Sequence, residues 1–290
     1  MNTLKKYKHI TVLLNESIKS LKIKKNGIYI DATFGNGGHT KLILSKLNKN
    51  GKLFSIDKDP KTIKIAKKIN DNRFKFFNIN FSDLFKLNLN KQINGILFDL
   101  GLSSIQLDNP KRGFSFINDG ILDMRINQKK GIDAINWIKN SSIKELYFVF
   151  KKFGKDNFTK RIAIAIYKYS KIKTIISTKE LSNLIKLNYN KYYNNKIHPA
   201  TQYFRAIRIF INNEIKEIEL GLKYTLKLLS KNGRLSIISF HSLEDKIIKK
   251  FINIKNNNKL IFLNKIKPTL YEIKKNYRSR SAILRIAKKK

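Results

Sequence analysis

Short apolar runs recur along the chain, and several of them end in an acidic residue followed by a turn. Such runs, about four to eight residues long and bounded by turn residues, are typical of buried strands. Between them lie segments whose apolar residues recur at helical steps of three and four. Because strands and helices alternate, we predict an α/β protein with a mostly parallel sheet and helices on both faces. The predicted strands are residues 27–31, 52–56, 74–77, 95–99, 235–239 and 281–287.

The stretch between the strands at 95–99 and 235–239 is far longer than the dozen or so residues that a crossover connection needs. It therefore contains an insertion, which the capping-box spacing of Ser142 with Glu145 and of Ser177 with Glu180 predicts to be helical. Pro199 is predicted to open one long helix, with an apolar face from 204 to 229. The predicted domains are a discontinuous sheet domain, 1–110 and 210–290, and an inserted helical domain, 111–209.

Charge and composition narrow the range of partners. The 290 residues contain 61 Lys and Arg against 20 Asp and Glu, a formal net charge of +41. This excess favours a polyanionic partner, although a general bias toward Lys, Asn and Ile would also produce it. Cysteine is absent from the sequence, which excludes disulfides and thiolate metal sites. No apolar stretch approaches the length of a membrane span, and we expect a cytoplasmic protein that needs no metal.

A glycine-rich turn follows the first predicted strand and opens a helix, as a loop that binds a nucleotide-type cofactor does. It spans residues 31–39, and Asp57 ends the next strand, where an acid can bind both ribose hydroxyls of an adenosine. Thr40 occupies the third glycine position of a dinucleotide loop, and the lysine of a phosphate-binding loop is absent. These departures favour S-adenosylmethionine over a nicotinamide or a nucleoside triphosphate. The alternative is that the glycines only form a tight turn.

A second polar motif follows the fourth predicted strand, in the crevice where open parallel sheets bind ligands. It comprises Asp99, Ser103, Ser104 and Gln106, whose oxygens can accept hydrogen bonds from a target amine. A capped turn would use the same residue types. We take Asp99, Ser103 and Ser104 as candidate catalytic residues, with Asp123 as a further carboxylate that can hold the amine.

Two later motifs have both a functional and a structural interpretation. Arginines and aromatic residues in 112–116 and 123–125 can clamp a nucleotide, or can form a small satellite core under a long loop. His241 can contact RNA or support the site, whereas Ser242 with Asp245 has the spacing of a helix cap.

Together these motifs resemble one family, the bacterial 16S ribosomal RNA cytidine N4-methyltransferases. The family usually has proline where Thr11, Ile105, Ile121 and Tyr277 stand here, and arginine where Gln202 stands. The missing prolines reduce loop rigidity but remove no chemical group, and Gln202 affects one RNA or structural contact. The matching segments are HITVLLNE (9–16), DATFGNGGHT (31–40), DKDP (57–60), DLGLSSIQ (99–106), RGFSF (112–116), DGILDMR (119–125), HPAT (198–201), SFHSLED (239–245) and RSAILR (280–285).

The resemblance implies a Rossmann-like class I methyltransferase with an inserted helical domain that recognises the substrate. It also implies methylation of the exocyclic N4 of a cytidine in the decoding centre of 16S ribosomal RNA, within the small ribosomal subunit. Two alternatives are a methyltransferase-like RNA-binding protein without turnover and a nicotinamide-dependent oxidoreductase. The cofactor-binding residues that the resemblance implies are Gly37, Gly38, His39, Asp57, Phe81, Asp99 and Gln106.

Overall fold

The computed structural model describes residues 10–87, 89, 93–189, 198–253 and 259–290. The chain forms two compact units. The first combines Met1–Gly101 with Lys216–Lys290, and the second is Leu102–Ile215. We predicted an insert at 111–209, and its role in substrate recognition stays a prediction.

A seven-stranded sheet with the order β3-β2-β1-β4-β5-β7-β6 organises the first unit. Strands β1 to β5 run parallel, β7 is antiparallel to β5, and β6 is antiparallel to β7. The strand order reverses between β1 and β4, where the carboxyl ends of open parallel sheets leave a crevice for ligands. The strands are β1 (Ile28–Asp31), β2 (Lys52–Ile56), β3 (Phe74–Phe77), β4 (Ile93–Asp99), β5 (Leu229–Ser239), β6 (Leu260–Ile266) and β7 (Ile283–Lys289).

Both faces of the central strands are buried, as expected of a parallel sheet covered by helices. Neighbouring residues along a strand point to opposite faces. Ile30 and Ile96 accordingly belong to one apolar cluster, whereas Tyr29 and Leu97 belong to another. The strands predicted from apolar runs are thus confirmed. In β1 and β4, apolar side chains pack into the helices on both faces of the sheet.

The helices occupy the segments between strands and most of the second unit. Short 3-10 turns lie at Phe81–Leu87, Pro110–Arg112 and Tyr277–Ser281, and a π-helical turn at Phe150–Gly154. No described helix is long and apolar enough to cross a membrane. The α-helices are α1 (Leu14–Leu21), α2 (Gly38–Leu44), α3 (Thr62–Ala66), α4 (Ser104–Asp108), α5 (Ala134–Asn140), α6 (Ile143–Val149), α7 (Thr159–Ile172), α8 (Thr178–Leu187), α9 (Ala200–Ile211), α10 (Glu214–Leu228), α11 (Ser242–Asn253) and α12 (Leu270–Lys275).

The single long helix predicted from Pro199 onward is wrong, because the chain forms α9 and α10 with a break between them. Asn213 has a left-handed backbone conformation, φ 50°, that no α-helix continues through. The Asn212 side chain stabilises the break by accepting the Ile126 N–H at 2.8 Å and donating to the Met124 carbonyl at 2.8 Å. The apolar periodicity runs through the break and therefore does not reveal it.

The predicted capping boxes of the insert are half correct. Ser142 accepts the N–H of Glu145, and Ser177 accepts the N–H of Glu180, as a capping serine does. The glutamates do not complete the boxes: Glu145 accepts the Trp137 indole N–H, and Glu180 accepts the Ile176 N–H. Glu145 thereby connects α6 to α5, whereas Glu180 binds the N–H just before its own cap and also accepts the Tyr169 hydroxyl of α7.

Two features near the C-terminus differ from expectation. Strand β6, at the edge of the sheet, was not predicted, although its apolar residues at 260–263 are typical of a strand. The Asn-rich run at 256–258 predicts a loop, and it lies outside the described residues. Strand β5 was predicted at 235–239, because Asn232-Gly233 is typical of a turn. It begins instead at Leu229, upstream of that pair, and its pairing with β4 shifts register there.

Candidate cofactor and methyl-transfer site

The glycine loop starts at the carboxyl end of β1, and two of its backbone N–H groups hold it against the next strand. Phe34 N donates to the Ile56 carbonyl at 2.9 Å, and Gly35 N donates to Asp57 Oδ2 at 2.8 Å. Gly37 has φ 74°, a conformation that glycine adopts without the strain a Cβ would cause, and it precedes α2. A Cβ on Gly38 would lie 2.0 Å from Thr11 Oγ1, so the loop packs closely against the N-terminal segment.

Asp31 fixes the loop from beneath and is completely buried. Its two carboxylate oxygens accept the Thr33 N–H at 3.2 Å and the Thr40 hydroxyl at 2.7 Å. Burial raises the pKa of Asp31 to about 6, although these hydrogen bonds favour the charged form. Thr40, which replaces a dinucleotide-loop glycine, therefore anchors Asp31, an acid to which sequence spacing alone gives no role.

Asp57 stands at the end of β2, as predicted. Its Oδ2 accepts the Gly35 N–H, and its Oδ1 accepts the Asp59 N–H at 2.8 Å. A carboxylate has about four lone-pair positions, so each oxygen can still accept another hydrogen bond. Burial raises the pKa of Asp57 to about 6, and the charges of Asp59 and Asp31 add to the rise against the stabilising backbone hydrogen bonds.

Asp99 ends β4, and its N–H donates to Thr33 Oγ1 at 2.6 Å, which ties it to the glycine loop. Its Oδ2 lies 3.9 Å from Nδ1 of the buried His39. Its Oδ1 is buried and has no hydrogen-bond partner among the described residues. Burial, reinforced by the charges of Asp31 and Glu244, holds the pKa of Asp99 well above its usual range.

Phe81 begins the 3-10 turn Phe81–Leu87 and packs edge-to-face on the Phe98 ring, with centroids 5.8 Å apart. Phe98 precedes Asp99 and is itself buried. Among the predicted cofactor residues, Gly37, Gly38, His39, Asp57, Phe81 and Asp99 all belong to the first unit.

The cap predicted at Ser242 and Asp245 is wrong. His241 and Glu244 cap α11 instead: Glu244 N donates to His241 Nδ1, and Glu244 Oε2 accepts the N–H groups of Phe240 and His241. His241 Nε2 lies 3.1 Å from Glu244 Oε1, so the ring supports a buried carboxylate. Asp245 binds Arg285 on β7 through two hydrogen bonds.

The remaining predicted residues, Ser103, Ser104, Gln106 and Asp123, belong to the second unit. Ser103 and Gln106 form a complete capping box at α4: Ser103 N donates to Gln106 Oε1 at 2.9 Å, and Gln106 N donates to Ser103 Oγ at 3.4 Å. Ser104 is the first residue of that helix. The capped-turn interpretation of this motif is therefore correct for Ser103 and Gln106, whatever else they bind.

Asp123 is held by an ion pair with Arg125, whose Nε and Nη2 donate to its two oxygens at 2.9 and 2.8 Å. Burial raises the pKa of Asp123, but hydrogen bonds from Arg125 and Gln128 more than offset this and leave the pKa below its usual range. The charge of Asp123 is thus matched within its own segment. Asp99, in contrast, has no such cation beside it among the described residues, apart from the His39 ring.

Arg112 and the two phenylalanines of 112–116 form a satellite core. Arg112 is buried, donates to the carbonyls of Arg125 and Ile126, and stacks over the Phe114 ring at 5.6 Å. Phe116 packs on His198 and Phe204, with centroids 4.8 Å from each. Of the two interpretations of this motif, packing is the one that the structure supports.

Comparison with known proteins assigns the whole chain to a family. Residues 6–290, nearly the whole chain, match the sequence profile of the MraW methylase family. The chain belongs to the MraW methylase family. It is 51% identical to a protein of Wigglesworthia glossinidia brevipalpis, over 97% of this chain and 98% of that protein, and 50% identical to one of Buchnera aphidicola subsp. Acyrthosiphon pisum (strain APS), over 97% of both. Both relatives are named "Ribosomal RNA small subunit methyltransferase H".

Membership of the MraW methylase family makes the chain a methyltransferase, with the class I fold seen in its sheet and S-adenosylmethionine as its cofactor. The residues of the site fit this cofactor. Asp57 retains acceptor capacity for hydroxyl groups, and Asp31, Asp57 and Asp99 form an acidic environment suited to a ligand that carries sulfonium and ammonium charges. The unpartnered Asp99 Oδ1 is the clearest sign of a missing donor.

Proposed function

We propose that this methyltransferase modifies the exocyclic N4 of a cytidine in the decoding centre of 16S ribosomal RNA, within the small ribosomal subunit. The names of the relatives support ribosomal RNA of the small subunit as the substrate. The resemblance of segments such as residues 99–106 to the cytidine N4-methyltransferases supports the nucleoside. A ribosomal substrate would place the protein in the cytoplasm.

The state of Asp99, with one unpartnered oxygen and a raised pKa, is the observation that supports this chemistry most directly. Bound S-adenosylmethionine supplies an electrophilic methyl group on a positively charged sulfur. The N4 amine of cytosine is a poor nucleophile because its lone pair is delocalised into the ring. The Asp99 side chain is 24% exposed, and its Oδ1 has no hydrogen-bond partner among the described residues. The carboxylate can therefore accept one N–H of that amine, which draws electron density toward the nitrogen and orients it.

The raised pKa of Asp99 also suits it to receive a proton. Transfer would form the N4–C bond as the bond between the cofactor sulfur and the methyl group breaks. The amine nitrogen would then carry a positive charge and would have to release one N–H proton. A carboxylate whose pKa is above the ordinary value is a stronger base than a solvated aspartate. Asp99 would thus hold the amine before transfer and accept its proton afterwards.

We place the other candidates in supporting roles. Ser103 is engaged in capping α4, whereas the Ser104 hydroxyl makes no hydrogen bond within the described part of the chain. Of the two serines, Ser104 is therefore the better candidate to accept a hydrogen bond from the substrate. Asp123 is the weaker candidate, because each of its two oxygens already accepts two hydrogen bonds, from Arg125 and Gln128.

Mass analysis of ribosomal RNA nucleosides tests the proposal. Small subunits lacking the modification, incubated with the protein and methyl-labelled S-adenosylmethionine, should gain one labelled N4-methylcytidine. Label on another nucleoside would overturn the assigned substrate atom. RNA binding without any label would favour the alternative of an RNA-binding protein without turnover. Family membership already favours methyl transfer over nicotinamide chemistry.

A further inference from the structure

A second concave site lies in the first unit, at the end of the sheet opposite the cofactor loop. A cavity of about 270 Å³ is lined there by Tyr29 near the start of β1, Asn94 near the start of β4 and Lys288 near the end of β7. Asp99 lies five residues beyond Asn94, about 17 Å along β4 at the usual rise of about 3.3 Å per residue. The cavity is therefore separate from the methyl-transfer site.

Five cationic side chains line this cavity, and no acidic side chain does. Among the described residues, none of the five has a carboxylate within ion-pairing distance. The residues outside the described ranges contain no Asp or Glu, so they add no side-chain carboxylate. The five are Lys22, Lys24, Lys231, Arg234 and Lys288.

Two of these cations face each other across neighbouring strands. Arg234 on β5 is the register partner of Lys288 on β7. Like charges directly opposite each other in an antiparallel pair are destabilising, and a bound anion would convert this repulsion into attraction. The end of α1 near Lys22 contributes about half a negative charge, too little to neutralise five cations.

The neutral polar groups of the cavity also offer donors. Asn94 Oδ1 accepts the Ile28 N–H at 2.8 Å, which leaves the amide N–H group of Asn94 to be donated. The Tyr29 hydroxyl accepts the Lys24 N–H at 2.6 Å and keeps its own proton to donate. Donors and cations together suit an oxyanion and do not suit a metal ion.

We infer that this cavity binds a phosphate of the RNA backbone, as a contact remote from the methylated cytidine. The choice of RNA as the phosphate source rests on the proposed function. A compositional excess of lysine would scatter charge over convex surfaces. It would not by itself account for a concave site that pairs Arg234 with Lys288 across two strands.

The test compares two pocket variants with a control of equal charge. Arg234→Gln/Lys288→Gln removes the facing pair of cations. Lys24→Gln/Lys231→Gln removes two exposed cations of the same cavity and can replace the first variant if that one folds poorly. The control is Lys249→Gln/Lys250→Gln, two exposed lysines of α11. Binding of a labelled single-stranded RNA oligonucleotide is measured over a range of salt concentrations.

Each folded pocket variant should bind RNA about tenfold more weakly, and its salt slope should become shallower by about 0.7 for each phosphate that it no longer binds. The control should change affinity by less than about twofold. Equal weakening in pocket and control variants would overturn the site. Inorganic phosphate should raise the melting temperature of the wild type more than that of the pocket variants. If inorganic phosphate has this effect while the pocket variants bind RNA as well as the wild type, the cavity binds free phosphate and the proposed contact with RNA is wrong.

The nucleoside analysis separates this inference from the proposed function. Weaker RNA binding by the pocket variants, without formation of N4-methylcytidine by the wild type, would leave the phosphate site standing and remove the proposed reaction. Pocket variants that methylate normally and keep the RNA affinity and salt slope of the wild type would remove the phosphate site and leave the proposed reaction standing.

Discussion

Asp57 serves two partners, since its carboxylate already orders the glycine loop and is predicted to bind the cofactor ribose. Asp57→Asn keeps the shape and removes the charge. We expect S-adenosylmethionine binding to weaken by about 2–3 kcal/mol, because charge-assisted hydrogen bonds are removed. Calorimetry measures the affinity, and Glu219→Gln, which removes an exposed acid from α10, is the matched control. Unchanged affinity in a folded Asp57→Asn protein would contradict the assignment.

The raised pKa values of Asp31 and Asp57, both about 6, predict that cofactor affinity depends on pH. Because the folded-state pKa exceeds the unfolded one, the apo protein loses stability from these groups as pH rises from about 4 to 6. A cationic ligand favours the charged carboxylates, so its affinity should fall as pH drops below 6. We expect roughly a tenfold loss at pH 5 for each acid that must be charged.

Calorimetry in buffers of different ionisation enthalpy would check this pH prediction directly. Binding near pH 6 should release protons into the buffer, because the ligand shifts the acids toward their charged form. Proton uptake on binding would show that the assigned direction is wrong. In the Asp57→Asn variant, proton release should be smaller than in the wild type.

Asp99 is predicted to act on turnover more than on cofactor binding. Asp99→Asn keeps the size of the side chain but removes the charge and the basicity. We expect kcat to fall by roughly 100-fold or more, with a much smaller change in S-adenosylmethionine affinity. Single-turnover methyl transfer, measured beside calorimetry, separates the two quantities. If only cofactor affinity falls, Asp99 is a cofactor ligand and another acceptor holds the amine.

The break between α9 and α10 depends on one left-handed residue, the exposed Asn213. Asn213→Gly should leave stability within about 0.5 kcal/mol, because glycine adopts this conformation freely. Asn213→Val should destabilise by about 1–2 kcal/mol or more, because a β-branched residue is strained there. Urea denaturation measures both variants. Equal stability of the valine and glycine variants would show that the backbone conformation at 213 is not the one described.

Acidic side chains join segments of the second unit by hydrogen bonds. Asp119 accepts the Lys179 N–H at 3.0 Å at the start of α8, and Asp156 accepts the hydroxyls of Tyr189 and Tyr203 at 2.6 and 2.7 Å. These acids are used to join segments. With only 20 acidic residues in the sequence, few remain to offset surface lysines.

The net charge of +41 predicts a steep dependence of RNA binding on salt for the whole protein. Each phosphate contact should contribute about −0.7 to −0.9 to the slope of log affinity against log salt concentration. Filter binding or fluorescence anisotropy with ribosomal particles measures this slope. A flat response would mean that the charge is compositional and takes no part in substrate binding.

Local patterns determined the sheet domain and much of the site. Apolar runs that end in Asp31, Asp57 and Asp99 were sufficient to predict three strands and the acids at their carboxyl ends, because strand period and turn chemistry act over a few residues. Parallel strands then bring those ends to one edge of the sheet. The resemblance to a family added the substrate, which no local pattern contains.

Only the tertiary structure decided which candidate residue keeps an open hydrogen-bond acceptor. Asp123 binds Arg125 two residues away and Ser103 caps with Gln106 three residues away, so these contacts are local. The setting of Asp99, with one unpartnered oxygen and its N–H bound to Thr33, depends instead on segments distant in the chain. The pairing of Arg234 with Lys288 likewise joins residues distant in the chain. Such contacts depend on which surfaces meet after folding, and sequence spacing carries information only about neighbours within a turn or a strand.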